Sequence, residues 1–155
     1  MKTKQQKETL NYFRKYADKW KDKPIIKQRN DFVLKVISER KTDLFLDIGC
    51  GTGKLVNKVA SKGIQAIGVD FSEEMIKIAD KECKQAEFIC CSIFDFPFRD
   101  KYDVISANGL IEYISYKELD KLLNLSRKAL KPGGSLILSS RNRLFNIFSL
   151  NEYTK

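Results

Sequence analysis

The sequence predicts an α/β protein built on one parallel, doubly wound sheet, and three observations carry that expectation. Five short apolar runs follow one another from residue 44 onward. Segments of helical periodicity separate most of them. A glycine-rich turn directly follows the first run, as happens where a strand hands over to a helix beside a ligand. Apolar strands that alternate with helical crossovers favour parallel pairing, because a parallel neighbour is reached only by a long connection that packs on the sheet.

The elements follow from periodicity and punctuation. Residues 5–21 read as an amphipathic helix, with Leu10, Phe13, Ala17 and Trp20 at helical spacing. Pro24 ends it or opens the next segment, a second helix over 25–40 striped by Ile25, Ile26, Phe32, Val33, Val36 and Ile37. Residues 44–48 form the first strand, and the helix over 54–61 turns Leu55, Val56, Val59 and Ala60 to the sheet. The second strand is 66–70, after which Ser72 offers an N-cap to a helix through Met75, Ile76 and Ala79. Residues 87–91 and 102–106 are the third and fourth strands. A helix over about 116–130 carries Leu119, Leu122, Leu123, Ala129 and Leu130. The stretch Lys131-Pro132-Gly133-Gly134 stops it, leaving 135–139 as the fifth strand.

Bulk composition narrows the chemistry. At 155 residues, 43% hydrophobic and 32% charged, the chain suits one globular domain. The polar start and the lack of a long apolar run predict a cytoplasmic protein with no signal peptide and no membrane partner. There is no histidine, so Ser-His-Asp and Cys-His nucleophile systems and an imidazole base are excluded. Without histidine or a Cys-x-x-Cys pair no metal site is expected, and Cys50, Cys83, Cys90 and Cys91 read as reduced, mostly buried thiols. The net charge of +9 is concentrated at the front. Residues 1–45 hold thirteen basic against six acidic side chains, and the rest of the chain sixteen against fourteen.

Chemistry gathers at two strand ends. In Asp47-Ile48-Gly49-Cys50-Gly51-Thr52-Gly53 three alternate glycines remove the Cβ atoms that would keep a ligand off the backbone, and the helix beginning near Lys54 points free amides at the same place. A Walker loop needs Lys followed by Ser or Thr, whereas Leu55 follows Lys54. The dinucleotide fingerprint needs its third glycine where Lys54 stands. Asp47 would be unwelcome beside a pyrophosphate but can pair with an ammonium group. Asp70, closing the second strand, can accept both hydroxyls of a ribose, and Phe71 offers a face to an adenine ring.

With these residues in place, the sequence resembles the class I S-adenosylmethionine-dependent methyltransferases. DIGCGTG is similar to that family's first motif and GVD at 68–70 to its second. The likeness runs on through YDVISANGLIEYI at 102–114 and LKPGGSLIL at 130–138, covering residues 9–140. The opening YFRKYADKW at 12–20 resembles small-molecule methyltransferases of the ubiquinone-biosynthesis type. The resemblance implies a Rossmann-like sheet of strand order 3-2-1-4-5 and S-adenosylmethionine as donor, S-adenosylhomocysteine being the product. It places Asp47, Gly49 and Gly51 on the donor's methionine side, with Cys50 also counted among the cofactor-binding residues, Asn108 near the amino-acid end, Asp70 on the ribose, and Phe71, Ser92 and Ile93 around the adenine. Two departures stand out: Ser92 where the family often has an acid, and Glu112-Tyr113 where it often has Glu-His.

The sulfonium already activates its methyl group, so alignment is the protein's main task. Glu112 and Tyr113 are the candidate catalytic residues should the acceptor have to lose a proton. No NPPY-like stretch and no Pro-Cys pair follow the fourth strand, which points to a small-molecule acceptor, oxygen favoured over carbon. Residues 1–41 would form a helical lid or substrate segment and residues 42–155 the donor-binding domain. Two alternatives stay open. The basic front could serve an RNA or tRNA methyltransferase. The chain could also be a truncated donor-binding domain without activity, since the family adds two further strands beyond the fifth. The edge left open near Leu136, Ile137 and Leu138 could instead be covered by a homodimer.

Overall fold

The computed structural model describes residues 24–98 and 101–140, together with Asn11. Apart from Asn11, the helix expected over 5–21 lies outside the described residues, as does the apolar stretch 141–155. Helix α1 spans Pro24–Ser38. It is followed by strand β1 (Leu44–Ile48), helix α2 (Lys54–Ala60) and strand β2 (Gln65–Asp70). Next come helix α3 (Glu73–Glu82) and strand β3 (Glu87–Cys90). Strand β4 (Tyr102–Asn108) leads into a single 3-10 turn at Ile111–Tyr113, then helix α4 (Tyr116–Ala129) and strand β5 (Leu130–Ser139).

All four ladders are parallel and the order is β3-β2-β1-β4-β5, the arrangement expected from the sequence. The chain starts in the middle, winds outward through β2 and β3, and then returns to lay β4 on the other side of β1. Connections therefore leave the tips of β1 and β4 in opposite directions, and a crevice opens between them.

Alternation along the strands distributes the core between the two faces. Phe45, Ala66 and Val104 join one apolar cluster with Val33 and Ile37 of α1 and with Leu55, Val56, Val59 and Ile76 of α2 and α3. Leu46, Ile48, Ile67, Val69 and Ile105 join the other, covered by Leu122 and Ala129 of α4. Helices on both faces explain why the central strands read as nearly unbroken apolar runs. Helix α4 begins in a capping box: the Ser115 hydroxyl accepts from the Glu118 amide while the Glu118 carboxylate accepts from the Ser115 amide. Ser72 caps α3 in the way the sequence suggests, accepting from the Met75 amide at 3.3 Å.

Three local expectations need correction. The stripe expected on the helix over 25–40 is narrower than supposed, because only Asn30, Val33 and Ile37 of α1 are buried, whereas Phe32 is 58% exposed. Phe32 lies one residue, about 100°, around the helix from Val33 and misses the sheet. The fifth strand starts at Leu130 rather than at residue 135. Leu130 pairs with Tyr102, residues 131–134 bow out, and the ladder resumes where Ser135 meets Val104. Lys131 anchors this bow through Asp103, whose carboxylate also accepts from the Asp43 and Leu44 amides at the foot of β1. Finally, only Cys50 and Cys83 are buried, whereas Cys91 is half-buried and Cys90 exposed on the edge strand β3. None of the four forms a disulfide.

Candidate functional site

The glycine loop after β1 is held by the end of β2. The Gly49 and Cys50 amides both donate to the Val69 carbonyl, at 2.7 and 3.1 Å. Asp70 adds the decisive anchor: one carboxylate oxygen accepts from the Gly51 amide and the other from the Ser72 amide, each at 2.9 Å. One side chain thus fixes the turn after β1 and the turn after β2 together. Gly51 sits at φ +54° and a Cβ there would meet nothing within 4 Å, so the loop turns its bare side to open space.

Beneath the loop, packing sets its height. Gly68 of β2 lies under the Cys50 thiol and the Phe88 ring, and a Cβ at Gly68 would come within 2.9 Å of both. Gly68→Ala is therefore expected to lower stability by about 1–3 kcal/mol, the usual cost of overpacking, as read by urea denaturation. An unchanged midpoint would contradict this packing.

Register brings Asp47 between Gly68 on β2 and Ser106 on β4. The Ser106 hydroxyl donates to the Asp47 carboxylate across the strands, and both residues are buried. Burial penalises the ionised form and raises the Asp47 carboxyl from 3.8 to about 7; the Ser106 hydrogen bond opposes the rise and the Asp70 charge adds to it. Burial also raises the Asp70 carboxyl, against the pull of the Ser72, Gly51 and Phe71 amides. Cys50 is pushed well above the usual thiol range, first by burial and then by the charges of Asp70 and Asp47. It is a protonated packing group, without nucleophilic character.

Two cavities meet along these tips. The first, about 170 Å³, is lined by Asp47, Gly49, Cys50, Gly51, Asp70, Phe71 and Asn108 among others. The second, about 660 Å³, is lined by Gly49, Asp70, Phe71, Ser92 and Ile93 among others. Every residue that the sequence nominated for the donor therefore borders one or both. Asn108 lines the first cavity, and its buried Nδ2 has no hydrogen-bond partner among the described residues. Of the two acceptor-side candidates, Glu112 lines the first cavity, whereas Tyr113 lines both.

Sequence reasoning missed Arg29. It projects from α1 into the first cavity and pairs with Glu112 at 3.4 Å, the two side chains being 15% and 16% exposed. No motif surrounds it, and among thirteen basic residues in the first 45 nothing in the sequence singles it out. Ser106 was also missed, although a polar residue inside the apolar run of the fourth strand was a readable sign. The first cavity is thus lined by a carboxyl that ionises near neutrality, Asp47, and by cationic or donor groups, Arg29 and Asn108. Such a cradle suits a zwitterion, and with Asp70 and Phe71 alongside it suits an amino acid joined to a nucleoside. Among the described residues no cluster of three or more His, Cys, Asp or Glu could hold a metal ion. No helix among them is long and apolar enough to cross a membrane.

A family model described as a methyltransferase domain matches residues 45–134, from β1 to the bow in β5. The chain belongs to that family. Its resemblance to class I S-adenosylmethionine-dependent methyltransferases is thereby established. A ubiquinone biosynthesis O-methyltransferase of Nitrobacter winogradskyi is 33% identical over 109 residues, covering 68% of this chain and 41% of the relative. One from Coxiella burnetii is 30% identical, covering 92% of this chain and 65% of the relative. The chain thus spans about two fifths to two thirds of the length of these curated relatives. Magnesium protoporphyrin IX methyltransferase of Synechocystis, solved with bound S-adenosylmethionine, shares the fold with a TM-score of 0.74 at 20% identity. That alignment covers 92% of this chain and 78% of the other.

Proposed function

We propose that this domain holds S-adenosylmethionine across the tips of β1, β2, β3 and β4 and passes its methyl group to a small-molecule acceptor, oxygen favoured. The observation that carries the reading is the mixed lining of the first cavity, which brings the Asp47 carboxyl, the Arg29 guanidinium and the unpartnered Asn108 amide to one space. The donor supplies a sulfonium-bound methyl that needs no further activation. Asp47 would take the ammonium group, while Arg29 and Asn108 take the carboxylate. Each Asp70 oxygen uses one lone pair on a backbone amide and keeps another for a ribose hydroxyl. Phe71 would flank the adenine, with Ser92 and Ile93 at its edge. Fixed on four strand ends, these groups set the position of the methyl group, which is the main contribution a protein makes to such a displacement.

The oxygen preference draws on relatives named as O-methyltransferases. Tyr113, bordering both cavities, and Glu112 are the residues proposed on the acceptor side. Residues 1–41 are proposed to close over the donor, α1 already supplying Ile25, Ile26 and Arg29 to the first cavity.

Isothermal titration with S-adenosylmethionine, S-adenosylhomocysteine, NAD and ATP tests the reading. Heat is expected for the first two and none for the others. Binding of NAD or ATP without S-adenosylhomocysteine would overturn it.

A further inference from the structure

We propose that Glu112 is a positioning residue: it holds the Arg29 guanidinium against Gly109 and so makes the site select ligands that carry an α-carboxylate. The proposal rests on the donor reading above and assigns Glu112 a task distinct from proton transfer.

The geometry is specific. Gly109 follows Asn108 directly, and a Cβ on it would stand 2.5 Å from Arg29 Nη1. The guanidinium therefore lies on the bare backbone of Gly109, in space that any other residue would fill. Its second terminal nitrogen, Nη2, faces Glu112 Oε1 at 3.4 Å. Asn108, Gly109 and Glu112 all belong to the segment that leaves β4, so one stretch of chain makes room for the arginine, orients it and adds an amide donor beside it.

An arginine at the end of a flexible stem loses considerable rotamer freedom when it is fixed. Pairing before a ligand arrives moves that loss into folding and leaves the fork pre-oriented. The pair is largely shielded from water, so it is stronger than an exposed one. Glu112 also sharpens discrimination. A ligand carboxylate is tolerated near Glu112 only while the guanidinium lies between the two anions. A ligand without a carboxylate gains nothing from Arg29 and is indifferent to how it is held.

Comparing S-adenosylhomocysteine with 5′-methylthioadenosine, which lacks the amino-acid end, isolates this contribution. In Glu112→Gln the affinity for S-adenosylhomocysteine should fall about tenfold, corresponding to 1.4 kcal/mol, while that for 5′-methylthioadenosine stays within about twofold. Arg29→Met should show the same selective loss, and adding Glu112→Gln to it should cost nothing more. If Glu112→Gln does not fold, Glu112→Asp, one methylene shorter, should show a smaller loss confined to the same ligand. Equal weakening of both ligands marks a merely structural residue and overturns the proposal, as does an unchanged affinity for S-adenosylhomocysteine. Failure of the unaltered protein to bind either ligand would sink the donor reading and this proposal with it. Binding of both with a ratio insensitive to Glu112 would sink the positioning role alone.

Discussion

Asp47→Asn is expected to make the ligand-free protein more stable above neutral pH while removing most of its affinity for the donor. The Asp47 carboxyl stands at about 7 in the folded protein and near 3.8 in the unfolded chain, with burial as the main cause. Below about pH 4 both states hold the proton, and burial of the group carries no charge penalty. Between about pH 4 and 7 the unfolded chain gives up its proton while the folded protein keeps it, so stability falls as pH rises. Above pH 7 the ionised, buried carboxylate weighs on the fold by at most roughly 4 kcal/mol. Asparagine has no charge to bury and can still accept from Ser106. The thermal midpoint of the variant should therefore exceed that of the parent at pH 8, and the two should converge near pH 4. A parent that is the more stable of the two at pH 8 would refute this account of the carboxylate.

Binding should move the other way. In the proposed pose the donor's ammonium pairs with ionised Asp47, so binding would draw the proton off. Parent affinity should rise between pH 6 and 8, by up to about tenfold per pH unit below the carboxyl's own value, and then level off. Asp70, also raised by burial, faces the same loop and belongs in the fit of that profile. Asp47→Asn should show a flat profile and, at pH 8, an affinity about 100-fold lower, the loss of a partly buried charge pair. Calorimetry across this pH range reads both quantities.

Asp70→Asn is expected to be the most damaging single-atom exchange in the site. The carboxylate satisfies two backbone amides from two different turns, Gly51 and Ser72. An asparagine side chain has one oxygen to accept with, and its NH₂ group would face the other amide, donor against donor. One buried N–H left unmade costs about 1–3 kcal/mol, and the glycine loop loses its tie to β2. The two ribose hydroxyls would also lose an anionic acceptor, a further 100-fold or so in affinity. Denaturation should show lower stability, and titration a near absence of donor binding. A variant that binds S-adenosylhomocysteine as the parent does would remove Asp70 from the site.

Asp47, Gly49, Cys50, Gly51, Asp70, Phe71, Ser92, Ile93 and Asn108 could be placed beside the cavities from the sequence because each sits at or just past the end of an apolar run, where a parallel sheet opens its crevice. Their spacing along the chain is enough to place them, since a strand end is a local event. Arg29 was not legible. It reaches the cavity only because α1 packs Val33 and Ile37 into the core against Phe45 and Val56, and that docking angle leaves no trace in the local sequence. Glu112 was legible as a polar residue near the right strand end, but its partner lies on a helix far back in the chain.

By itself the sequence determined the alternation of strands and helices, the parallel pairing that alternation demands and the two carboxylates at the strand tips, while the order of the strands came from the family resemblance. Strand alternation, glycine turns and helix caps are short-range constraints, and short-range constraints can be read from neighbouring residues. Only the tertiary structure decided the electrostatic character of the site. It sank Asp47 until its carboxyl titrates near neutrality, hung two turns on Asp70, bowed the chain between Leu130 and Ser135, and brought Arg29 over Gly109. Burial and charge pairing depend on which distant segments come to lie together, and that is settled by packing.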